Sequence, residues 1–255
     1  LEQYFVELTA RLQTHFDNHG RFNYSVAASS FDTWLDGYEA GVPNRKVSIY
    51  TEGSLLAFVL DVMLLKATEN KRGLDTVMRN LYFNYALKGI GVSESDYQSE
   101  IEKVAGHSMD EFFKKYVFGT NPFESILTEA MEYIGLELTH KPSKIYSHAR
   151  LGLKCLNDNG KVLAKVFYPG GPADLGGMML DDQIIAVNGI VIYGELDKWL
   201  NYFDNDMKQL TIIRAGRIIE LTLPEVNRNF YSEYGIELVK DMNKPQKNAF
   251  EAWKR

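Results

Sequence analysis

The sequence holds one cysteine, Cys155, so no disulfide can form within the chain. A lone cysteine fits a reducing compartment and equally fits exported bacterial proteins that lack disulfides, so cytoplasm and periplasm both stay open. No run of Lys or Arg exceeds two residues and the formal net charge is −6. Without a cationic footprint for a phosphate backbone, nucleic acid is excluded as an expected partner. The most apolar stretch, Leu55 to Leu65, is broken by Asp61 and is too short for a membrane span. There is no low-complexity tract and no internal repeat. What is present is 45% hydrophobic and 24% charged residues over 255 positions, the composition of a soluble globular chain long enough for two domains.

Several chemistries are missing too. There is no G-x-S-x-G elbow and no glycine-rich phosphate loop. Cys155 falls in an expected strand without a placed His, which argues against a thiol nucleophile. None of the five His residues is followed by Glu, so the H-E-x-x-H zinc pattern is absent. His15 and His19 have i, i+4 spacing, but Phe16 stands where a catalytic base belongs. That pair is expected on the surface at a helix end, and His107, His140 and His148 on the surface or in loops. Asp181-Asp182 is read as turn and solvation chemistry.

The first half has helical periodicity. Tyr4, Phe5, Leu8 and Leu12 define a helix to about Phe16. Ser25 or Ser29 caps a second through Phe31, Trp34, Leu35 and Tyr38, broken by Gly41 and Pro43. Thr51 to Glu69 is apolar nearly all round and is the expected central helix. A helix opens at Gly73-Leu74-Asp75, another at Ser93 with Asp96, and a sixth at Ser108 with Glu111 in capping-box spacing, ending at Gly119. Ile126 to Ile134 is one more. After Gly135 the period shortens towards two. Val162–Phe167, Gln183–Val187, Leu210–Ile213 and Ile218–Leu223 read as strands, with helices opening at Pro172 and spanning Glu195 to Phe203.

From Leu151 onward the order of elements resembles a PDZ domain of the circularly permuted, bacterial type. Arg150-Leu151-Gly152-Leu153 matches the carboxylate-binding loop, Gly170-Gly171-Pro172-Ala173 a G-S-P-A turn, and Asp182 to Gly189 a G-D-x-I-x-x-x-N-G segment. In such a loop, backbone N–H groups converge on a peptide C-terminal carboxylate and the peptide adds to an open strand edge. The resemblance implies a site made of Arg150, Leu151, Gly152 and Leu153, with apolar selection by Leu153, Trp199, Leu200 and Phe203. Alternatively the groove is filled from within, by Ile236–Val239 or Pro245–Trp253.

The helical half resembles the region downstream of the zinc site in the glycyl aminopeptidase family of metallopeptidases, in the thermolysin-like clan. The likeness rests on Gly20-Arg21 with Ser25–Trp34, on Val47–Gly53 leading to Leu60-Asp61, and on Leu74–Tyr82. It implies a C-terminal fragment of a zinc aminopeptidase, with sequence missing before Leu1, no cofactor in this chain and zinc in the intact protein. It also places Tyr50 on the Tyr of a Y-x-K-G segment, where a phenol stabilises the oxyanion; Glu52 stands where that pattern has Lys. The expected fold is thus two domains, an all-α helical bundle followed by a small α+β PDZ-like barrel. The expected parts are a helical subdomain at 1–123, a helix and linker at 124–144, the PDZ-like domain at 145–226 and an extension at 227–255 packing back on the chain. Expected partners are a peptide C-terminus or the upstream catalytic domain. The rival reading is a non-enzymatic adaptor.

Overall fold

The computed structural model describes residues 1–36 and 44–255. The expected helix stop at Gly41 and Pro43, and Tyr38 before it, lie outside the described residues. The chain divides into two compact units, residues 1–139 with 234–255, and residues 140–233.

The first unit is built on α1 (Glu2–Asp17), α2 (Val26–Asp36), α3 (Ile49–Ala67), α4 (Leu74–Asn84) and α5 (Glu94–Ala105). A short α6 (Asp110–Phe112) and α7 (Glu124–Tyr133) follow. Helix α3 is the centre: Leu55, Val59, Val62 and Leu64 are fully buried, as expected of a helix apolar on nearly every face. Asp61, which interrupts that apolar run, has a structural task, since its Oδ1 accepts the Leu74 N–H at 2.7 Å and satisfies the start of α4.

The sixth helix begins differently from the sequence expectation. Met109, not Ser108, is its N-cap, and Glu102 of α5 accepts the Met109 N–H at 2.9 Å. A neighbouring helix thus supplies the acceptor that the capping box would have given. After one α-turn the chain loosens into a π-helical turn, Phe113–Val117, with Phe118 N–H bonded to Phe113 O.

Strand β1 (Leu136–Pro142) pairs with β8 (Ser232–Leu238) in a two-stranded sheet, and α11 (Lys244–Trp253) packs on α3 and α7. Ile236 to Leu238 therefore belong to β8, and the helix read at Pro245–Trp253 sits in the core of the first unit through Ala249 and Phe250.

The second unit contains α8 (Tyr146–Leu151), β2 (Leu153–Asp158), β3 (Lys161–Phe167), α9 (Pro172–Leu175), β4 (Gln183–Val187) and β5 (Ile190–Val191). It continues with α10 (Leu196–Tyr202), β6 (Lys208–Arg214) and β7 (Arg217–Leu223). The sheet runs in the order β2-β3-β4-β6-β7, with β5 beside β4. It is antiparallel and open: β2 and β7 end it without pairing to each other, so the barrel expected from the strand count does not close. The reason is that Leu151, Ala173, Leu196 and Leu200 of the three helices are buried against the sheet, so helices rather than strand pairing close the core. Leu153, Ala164, Leu200, Leu210 and Ile212 are fully buried within it. At its edge the fully buried Asp182 takes a bidentate grip from Arg214, at 2.7 and 2.6 Å. The reading of Asp182 as a solvation residue is corrected by this pairing.

Candidate functional site

In the first unit the residue singled out by resemblance is Tyr50. Ser48 caps α3, its Oγ accepting the Thr51 N–H at 3.4 Å, which puts Tyr50 in the first turn with its side chain 59% exposed. Glu52, two residues on, faces the opposite side of the helix because consecutive residues are turned by about 100°. Its carboxylate is buried and meets His15 Nδ1 at 2.7 Å.

His15 is therefore not a surface residue: its ring is 1% exposed, stacked on Phe123 at 4.8 Å. Arg21 Nη1 lies 3.4 Å from its other nitrogen, Nε2, and Nη2 donates to Glu124 at 2.8 Å. A guanidinium can only donate, so Nε2 accepts and the proton sits on Nδ1, pointing at Glu52. Burial raises the Glu124 carboxyl, but the Arg21 hydrogen bond and charge outweigh it and hold that group below its ordinary value.

The space beside this network, lined by His15, Arg21, Tyr24, Glu52, Tyr116 and Phe123, is about 10 Å³. That is room for roughly one water, so the cluster is a packed polar core and admits no substrate. His19 does not share a helix face with His15, because α1 ends at Asp17 and His19 opens a 3-10 turn. No group of three or more metal-ligating side chains occurs among the described residues. With His15 committed to Glu52, the side chains present do not fit a zinc site.

The residues picked out in the second unit fall into two groups. Leu151, Leu153 and Leu200 are buried together in its core, with Trp199 and Phe203 half-buried against them. Gly152 ends α8 in the left-handed region at φ 62°, and a side chain there would stand 2.9 Å from the Tyr168 Cβ. Its carbonyl accepts the Tyr168 N–H at 2.8 Å. Only glycine satisfies both the φ and the close approach. Arg150 is exposed instead, on the rim of a cleft of about 360 Å³ that Leu151 also lines, with Tyr146, Asp204, Lys208 and Glu225.

Among the described residues strand β2 pairs with β3 alone, so one of its edges carries no described strand, and α10 lies against the same core. The sequence reading missed α8, Asp197 and Lys208. The Ser147 N–H donates to Asp197 Oδ1 at 2.7 Å, and the Tyr146 hydroxyl reaches Asp204 O at 3.5 Å. Lys208 is 6% exposed and its Nζ donates to the carbonyls of Phe203, Asp204 and Asp206 at 2.6, 3.0 and 2.6 Å. The ammonium thereby holds the carbonyls of the turn that follows α10. Desolvation lowers its pKa, opposed by nearby acidic groups. Burial, with a further push from Asp197, raises the Cys155 thiol to about 12, so it is protonated and inert near neutral pH. The helical spacing of Ile145, Tyr146 and Ala149 was the signal for α8, overlooked beside the more familiar glycine turn.

The two units together have the fold of a stretch of a longer solved chain. A crystal structure of an aminopeptidase N family protein from Idiomarina loihiensis matches 98% of this chain with a TM-score of 0.81, at 20% identity. The match covers 44% of that protein, so this chain spans less than half its length. More narrowly, residues 1–56 match the M61 glycyl aminopeptidase family model. The resemblance to glycyl aminopeptidases drawn from the sequence is thus found again in its N-terminal segment.

Two further structures are similar over parts of the chain. The HtrA3 PDZ domain bound to a phage-derived ligand covers 39% of this chain and 91% of its own, at 13% identity and TM-score 0.27. The photosystem II D1 C-terminal processing protease covers 69% of this chain and 45% of its own, at 17% identity and TM-score 0.25. No curated protein matches. No helix among the described residues is long and apolar enough to cross a membrane.

Proposed function

We propose that this chain is the C-terminal part of a zinc-dependent aminopeptidase of the glycyl aminopeptidase family. Its helical unit contributes a wall of the cleft, and its second unit is a PDZ-like module for a peptide C-terminus or an intramolecular segment. The observation that carries this reading is the position of Tyr50 within the stretch that matches the family model. The phenol stands exposed in the first turn of α3 while Glu52 turns inward to His15. From there it donates a hydrogen bond to the oxyanion that forms when water adds to the scissile carbonyl. Zinc, on this reading, is held in the intact protein by residues that this chain does not contain.

In the second unit the free edge of β2 offers backbone donors and acceptors for an added strand. Arg150 and the turn at Leu151, Gly152 and Leu153 receive the carboxylate, while Leu153, Trp199, Leu200 and Phe203 select an apolar side chain. The test is Tyr50→Phe in the intact protein. It lowers kcat by about 10²-fold, as loss of one oxyanion donor does, with zinc content unchanged. Wild-type turnover in that variant would remove Tyr50 from the mechanism. A reading frame upstream of Leu1 without H-E-x-x-H would remove the peptidase assignment.

A further inference from the structure

Phe31, Trp34 and Leu35 give α2 its apolar spacing, and a stripe of that spacing normally faces a core. Here it faces out. Phe31, Trp34 and Leu35 are 75%, 90% and 75% exposed, and at i, i+3 and i+4 they lie side by side on one face of the helix. The other face is fastened. Ser25 Oγ accepts the Ala28 N–H at 3.1 Å, and the fully buried Ser29 accepts the Val47 N–H through its Oγ at 3.3 Å. Asp32 accepts the Tyr24 hydroxyl at 2.5 Å and Arg45 Nη2 at 3.0 Å, while Val26 packs against the core around α3. The polar side chains of α2 are thus the ones this unit holds, and its largest apolar ones are left in water.

Single exposed apolar residues are ordinary. Three large neighbours, one of them Trp, mark a contact surface. Two observations bear on what covers it. Helix α2 lies together with Tyr50 in residues 1–56, the stretch that matches the family model, and it packs on α3, whose first turn carries Tyr50. The solved aminopeptidase N family protein that shares this fold is matched over 44% of its length, so the larger share of such a protein has no counterpart in residues 1–255.

We propose that the Phe31, Trp34 and Leu35 face of α2 is the seat of the zinc-holding portion of the intact protein, upstream of Leu1. This rests on the reading of the chain as the C-terminal part of a peptidase. Packing there takes three large apolar side chains out of water. Through α2 it also braces α3, and with it Tyr50, against the portion that carries the metal.

Hydroxyl-radical labelling of Trp34, read by mass spectrometry, compares residues 1–255 with the intact protein. Slow amide exchange in α3 confirms that both are folded. Trp34 labels about tenfold more slowly in the intact protein, the ratio for a face uncovered in about one molecule in ten. Trp34→Glu leaves the urea midpoint of residues 1–255 unchanged, as an exposed position requires. In the intact protein the same variant restores labelling of Phe31 and Leu35 to the rate found in residues 1–255. The wild-type contrast decides the matter even where that variant fails to fold. Equal labelling of Trp34 in the two proteins overturns the interface and leaves the peptidase reading standing, since that reading turns on the upstream H-E-x-x-H. Slow labelling already in dilute residues 1–255 means the face is covered from within, and overturns the proposal. Labelling that slows as residues 1–255 are concentrated makes a second copy the occupant and overturns it as well.

Discussion

Glu52 departs from the pattern of the family that the chain resembles, and the structure gives the reason. The family segment has Lys at that position, whereas here a carboxylate points inward to His15 Nδ1 at 2.7 Å with both side chains buried. Arg21, beyond His15, completes the network. Glu52→Ala leaves a buried imidazole N–H without its acceptor, and we expect a loss of about 3 kcal/mol in urea denaturation. Glu52→Lys costs more, because an ammonium would be buried beside the Arg21 guanidinium. A loss under about 0.5 kcal/mol, typical of an exposed pair, would show that the network contributes nothing. At this scale the sequence marked His15 and Glu52 but could not join them: the partners are 37 residues apart, and spacing arguments reach only along one helix.

The helices that were legible are those whose apolar period and caps are local. Ser93 and Asp96 open α5 as expected, where they form a capping box, and α9 has Pro172 in its first turn as read. Less legible were elements whose termini are satisfied from elsewhere. Helix α8 has no side-chain cap of its own and relies on Asp197. Strand β1 was read as linker because its partner, β8, lies far along the chain. Helix α11 combines both kinds of support. Asn243 and Gln246 form a capping box, and Gln246 Nε2 also donates to Glu132 O of α7 at 3.0 Å. Trp253 at its other end meets Tyr4 at 5.3 Å and Phe58 at 5.9 Å, edge to face. Asn243→Ala should cost about 1 kcal/mol, and Trp253→Ala about 3 kcal/mol, since tertiary packing rather than capping holds a short helix. Chemical denaturation of the two variants checks the order. A reversed ranking would mean that the cap, not the ring, fastens α11.

For the molecule as a whole, each unit owns a buried core, one around α3 and one around Leu153, Ile184, Leu200, Leu210 and Ile212. The second unit is one unbroken stretch, residues 140–233. Produced alone, that stretch should unfold in a single cooperative transition and keep its slow-exchanging amides in β3, β4 and β6. A broad, non-cooperative melt would show that its core is insufficient without the rest of the chain. By itself, the sequence determined the helical first half, most strands of the second, the glycine turn at Gly152 and the likeness of the N-terminal segment to glycyl aminopeptidases. Those signals are periodic or local, and they survive without knowledge of distant neighbours. Only the tertiary structure decided that His15 and Glu52 are a buried pair, that the sheet stays open, and that the first turn of α8 lies against Asp197. Each of these depends on which groups meet across long stretches of chain, where burial and hydrogen-bond satisfaction, not local propensity, select the partner.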